Sequence, residues 1–131
     1  MSKTNASGGN VLSRDQIMAA ADRAPVKVPV PEWNGFVLVR RMSAAQRAGY
    51  EEAMRALVKD ADEDAPATNL DVAGLYLAHC LVDENDVPLF KLGEIGELMA
   101  HKSAGAIWHL FEAASEVNAL TRADIEELAG N

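Results

Sequence analysis

The chain has 131 residues, of which 49% are hydrophobic and only 5% aromatic, and it carries a net charge of −8. That length is one domain's worth and is enough to bury a core, which alanine, leucine and valine must mostly fill. No apolar run approaches bilayer length, no signal-peptide core is visible at the N-terminus, and a single cysteine excludes an internal disulfide. The charge is divided unevenly. Residues 1–60 hold nine basic and six acidic side chains (net +3), and residues 61–131 hold three basic and fourteen acidic ones (net −11). This balance argues against nucleic acid as the main partner, and it suits head-to-tail association or a basic protein partner.

Met1 to Leu12 is polar and rich in Gly, Ser and Asn, and reads as a disordered tail; residues 13–131 read as a single domain. Ser13 with Gln16 is a capping box that opens a short helix to about Arg23, with Ile17, Met18 and Ala21 as its apolar positions and Pro25 as its stop. Val26 to Met42 follows, two apolar runs joined at Asn34-Gly35, which predicts a β-hairpin with a type I′ turn. Val26, Val28 and Val30 share one face of the first arm and Lys27, Pro29 and Pro31 the other. The prolines predict an edge strand. Trp33 before the turn reads as a cross-strand packing residue.

Ser43 and Gln46 form a second capping box, opening a helix to about Asp60 with Tyr50, Met54, Leu57 and Val58 as its buried stripe. Arg47, Glu51 and Arg55 recur at every fourth position and read as solvated ion pairs. After an acidic loop, Leu70 to Val82 is apolar nearly all round, so it is expected to be the central, most buried helix. Val87 to Phe90 reads as a short extended piece. Helices are then expected over Leu92–Lys102 and over Ser103 to about Asn118, as two helices or one kinked at Ser103–Gly105, with Ile107, Leu110, Phe111, Ala114 and Val117 inward and Trp108 at the core margin or exposed, and after the cap Thr121. The hairpin is the only obvious sheet. The fold class expected is α+β and predominantly helical: one N-terminal β-hairpin, a short helix before it, and a packed bundle of four to five helices after it.

No catalytic or metal constellation stands out. Asp60–Asp71 and Asp83–Glu94 start like calcium loops, but Ala65 and Pro88 occupy the sixth positions, where the turn requires glycine. His79 and Cys80 are adjacent on a helix and diverge by about a hundred degrees, so they do not share a zinc. Without a phosphate loop, a nucleophile elbow or paired carboxylates, the reading is a non-enzymatic protein with no cofactor.

The order of segments resembles the tail assembly chaperones of long-tailed, non-contractile bacteriophages and their prophages. The likeness is carried by the short helix ending Ala-Ala-Ala-Asp-Arg at residues 19–23, then Val28-Pro29-Val30-Pro31-Glu32-Trp33-Asn34-Gly35 and Phe36-Val37-Leu38-Val39-Arg40-Arg41-Met42-Ser43. Ala78 to Phe90 and Val117-Asn118-Ala119-Leu120-Thr121 continue it. Asn34 departs from the glycine more usual there. The resemblance implies a protein of the host bacterial cytoplasm that binds the tape measure protein, helps recruit tail tube subunits, and is absent from the mature virion. Self-association is expected from the edge arm Val26–Pro31 or from the charge contrast, with no role for nucleic acid or membrane. The anchors expected for a client helix are Trp33, Phe36 and Trp108, with Arg40 and Arg41 as rim charges. A structural virion protein, such as a head–tail joining or tail-completion subunit, is the competing reading.

Overall fold

The computed structural model describes residues 10–61 and 63–118. Of the disordered tail expected over residues 1–12, residues 1–9 lie outside these residues, as does the helix expected after Thr121. The elements are α1 (Arg14–Ala19), β1 (Val26–Val30), β2 (Gly35–Val39), α2 (Ala44–Asp60), α3 (Asn69–Cys80), β3 (Leu81–Val82), α4 (Ile95–His101) and α5 (Ala104–Val117). The fold is α+β and mostly helical. Both capping boxes form, at Ser13/Gln16 and Ser43/Gln46, and a third forms at Thr68/Asp71. Each satisfies backbone N–H groups that the first helical turn leaves without partners.

α3 is the central helix. Tyr76 and Leu77 are fully buried, and Val72, Ala73 and Cys80 complete its contribution to the core. α2 packs on it with Tyr50 and Met54, and α5 with Ile107, Leu110, Phe111 and Ala114; α4 packs on it as well. Gly74 faces α4, where a Cβ would sit at ordinary contact distance, 3.4 Å, from Met99 Cε. Edge-to-face rings run through this core from Trp108 to Phe111 (5.4 Å), Phe111 to Tyr76 (5.5 Å) and Tyr76 to Tyr50 (5.1 Å).

The hairpin differs from expectation at its tip. Pro31–Trp33 forms a 3₁₀ turn and Asn34 alone takes a left-handed conformation (φ 56°, ψ 42°), so Gly35 begins β2 opposite Val30. The type I′ turn needs positive φ at both central residues, and Gly35 does not have it. Pro31, with φ preset near the helical value, starts the 3₁₀ turn and moves the bend two residues upstream.

The sheet is also larger than the hairpin. Leu81–Val82, expected as the end of the central helix, leaves it as β3 and pairs with β2, giving the order β1-β2-β3. The chain then turns at Asp83–Asp86 and runs back so that Pro88 bridges Val82 and Leu89 N–H donates to Leu81 O at 2.9 Å. The apolar run gave no boundary between helix and strand, because both bury it.

α1 ends at Ala19, short of Arg23, and buries nothing: Ile17 and Met18 are 57% and 70% exposed. Lys102 is extended, so α4 and α5 are separate helices, with Ser103 capping the second.

Candidate partner-binding surface

Strand alternation decides which hairpin residues face out. Val26, Val28, Val30, Val37 and Val39 pack toward the core. Lys27, Pro29, Phe36 and Leu38 lie on the opposite face, paired Lys27 with Leu38 and Pro29 with Phe36. Phe36 is 68% exposed, with the Lys27 ammonium 6.0 Å from its ring centre. Trp33 is half-buried against the core, and Lys102 Nζ lies 5.8 Å from its ring. Trp108, on α5, is 36% exposed and stacks edge-on against Phe111. Phe36 thus faces away from the core-facing layer, while Trp33 and Trp108 stay at its margins.

The two arginines separate. Arg41 is exposed; its Nε donates to Ala24 O at 3.1 Å and its Nη1 to Val117 O at 3.4 Å, tying both flanking segments to the end of β2. Arg40 is not a rim charge. It is 8% exposed, and its guanidinium donates to Asp86 Oδ1 (2.9 Å), Asp86 O (2.7 Å) and His79 O (3.3 Å). Strand order explains it: Arg40 N–H donates to Cys80 O, which sets the side chain against the Asp83–Asp86 turn. The Arg40 hydrogen bond holds the Asp86 carboxyl below its ordinary range, helped by the charges of Arg40 and Arg23.

The edge of β1 is poorly suited to simple strand addition. Since Arg40 N–H points toward β3, residues 35, 37 and 39 turn their backbone groups toward β1, and Lys27 and Pro29 turn theirs outward. Pro29 has no N–H, and its carbonyl accepts from His109 Nε2 at 3.1 Å. Only Lys27 offers both backbone groups along that edge. Strand addition along Val26–Pro31 would therefore have only Lys27 to pair with fully, and the prolines blunt it.

Cys80 is buried, which pushes its thiol up to about 12 and keeps it protonated. Asp83 Oδ1 accepts from the N–H groups of Asn85 (2.8 Å) and Val87 (3.1 Å), so that carboxylate organises its own turn. His79 is held below its usual pKa by burial and then by the Arg40 charge. Sequence reading missed a further exposed apolar group: Val87, Leu89 and Leu92 are 53%, 46% and 55% exposed. Val87 and Leu89 flanking Pro88 beside an acidic turn was the available signal, because proline and that turn put the segment at an edge.

The geometry is thus one of large apolar side chains held outward by a firm sheet and helix pack. A family model described as phage tail assembly chaperone matches residues 14–131. The chain belongs to the phage tail assembly chaperone family. The match spans every element from α1 onward, and it is to a family of chaperones and not of enzymes, whose work involves other tail proteins. Among curated proteins and among solved structures, nothing matches the chaperone. No helix among its described residues is long and apolar enough to cross a membrane.

Proposed function

We infer that this chaperone binds the tape measure protein in the host cytoplasm, keeps it from aggregating, and helps bring tail tube subunits to it. The observation carrying the reading is a set of large apolar side chains, Phe36 foremost with Trp108 partly exposed at the core margin, on a packed body of the tail-assembly-chaperone family. A client helix presents apolar residues at i, i+3, i+4 and i+7, and such a stripe needs aliphatic and aromatic partners of this kind. Trp33 serves as a half-buried neighbour to the anchors and Arg41 as an exposed charge, while Arg40 acts as an internal strut. An assembly factor of this kind leaves before the particle is complete. The test is quantitative mass spectrometry of purified virions beside infected-cell lysate. The chaperone is expected in the lysate and missing from virions; a fixed copy number in virions would instead identify a structural tail or joining protein.

A further inference from the structure

α1 is capped and ordered, yet it covers nothing. Every residue from Asn10 to Pro25 is exposed, and Leu12, Ile17 and Met18 among them are 55%, 57% and 70% exposed. Leu12 and Ile17 hold the two positions of a hydrophobic staple around the Ser13 cap, which sets them on one side of the helix. The arm is nonetheless pinned at its root. Arg23 Nε donates to Arg41 O at 3.0 Å and its Nη2 to Gln46 Oε1 at 2.7 Å.

One side chain ties that root to the far end of the described chain. Arg41 donates to Ala24 O at 3.1 Å and to Val117 O at 3.4 Å. Asn118 is fixed at the same place: its Oδ1 accepts from Met42 N–H at 2.9 Å, and its Nδ2 donates to Arg40 O at 3.0 Å. Residues 119–131 therefore start beside the arm that carries α1. They contain Leu120, Ile125 and Leu128, with three acids and one base, Arg122. Residues 1–9, Met-Ser-Lys-Thr-Asn-Ala-Ser-Gly-Gly, offer no such aliphatic set.

We propose that residues 120–128 fold back on α1 of the same molecule and cover Leu12, Ile17 and Met18 with Leu120, Ile125 and Leu128. Residues 119–128 span about 15 Å even when fully helical, so they reach an arm rooted at the same arginine. Asp124, Glu126 and Glu127 then lie toward Arg14 and Arg41, the bases of α1 and its root. Neither short segment buries its apolar side alone, and the clasp gives each a partner. The proposal stands apart from the client reading, since it uses neither Phe36 nor Trp108.

The test reads amide hydrogen exchange by peptide mass spectrometry on the full chain. Wild type is compared with Ile125→Ser/Leu128→Ser and with Ile17→Ser/Met18→Ser, each checked for native circular dichroism. Each variant is read on the opposite segment, so altered helix propensity at the replaced sites does not count. Residues 14–19 should exchange about tenfold or more faster in the first variant, and residues 122–128 likewise in the second. Peptides of α3 and α5 should be unchanged, and dilution should leave the pattern as it was. Rapid exchange of α1 in wild type, or an opposite segment indifferent to either variant, would overturn the proposal. So would loosening of α3 in step with α1, which means a general loss of packing. Protection that fades on dilution would overturn it too, by assigning the cover to a second copy.

Discussion

Arg40 donates to both the carboxylate and the backbone carbonyl of Asp86, at 2.9 and 2.7 Å, across 46 residues of sequence. The contact fixes the turn after β3 to the end of β2, and Arg23 joins it from the segment after α1 at 3.4 Å. Asp86→Ala leaves a nearly buried guanidinium with only carbonyl partners. Because Asp86 is itself about half exposed (48%), the contact accounts for a modest loss, about 1–2 kcal/mol, and alanine at the positive φ of this position (63°) adds about 1 kcal/mol. Urea unfolding measures it. A loss within a few tenths would mean that the guanidinium is satisfied by solvent.

The same pair sets an acid response. The Asp86 pKa is lowered in the fold, so the stability it contributes is complete above the ordinary carboxylate value, about 3.9, and is lost as pH falls through its depressed native value. Asp86→Asn should therefore flatten part of the fall in stability at the acid end of a pH series while leaving the slope near neutrality unchanged. Parallel wild-type and variant curves throughout would contradict this.

Two core tyrosines should respond differently to loss of their hydroxyls. Tyr76 Oη donates to Ala114 O at 3.2 Å, whereas the buried Tyr50 Oη has no hydrogen-bond partner among the described residues. Tyr76→Phe should cost about 1 kcal/mol and Tyr50→Phe should be neutral or slightly stabilising. Thermal denaturation of the pair decides it, and equal losses would show that Tyr50 is satisfied by water.

Asn34, at φ 56°, is one of two non-glycine residues with positive φ among the described residues. Asn34→Ala should cost about 1 kcal/mol, while Asn34→Gly should be close to neutral. Chemical denaturation of both variants checks the order, and a reversal would place the strain elsewhere in the loop.

What the sequence made legible follows from how local each signal was. Ser13, Ser43 and Ser103 announced helix starts because a cap bonds within three residues of itself. Tyr76 and Leu77 announced burial through an apolar surround. Pro29 marked the edge strand correctly. β3 was hidden, since its pairing partner lies some forty residues upstream and an apolar run fits helix and strand alike. Arg40 was misread for a related reason: adjacent arginines look equivalent in sequence, and only the strand pairing sends one to Asp86 and leaves the other exposed. α1 shows the reverse failure, an apolar helix pattern that the fold leaves uncovered. The surface residues Phe36 and Trp108 could be named in advance, but their facing depended on the pleat and on α5.

On the proposed function, this chaperone keeps the tape measure protein soluble through exposed apolar anchors. The most direct measurement is the fraction of tape measure protein remaining soluble, and co-purifying, when it is expressed alone, with wild type, and with folded Trp108→Ala or Phe36→Ala. The account predicts insoluble client alone, soluble complex with wild type, and a loss of about 2 kcal/mol of binding when a true anchor is truncated. Tape measure protein equally insoluble with and without the wild-type chain would contradict the account.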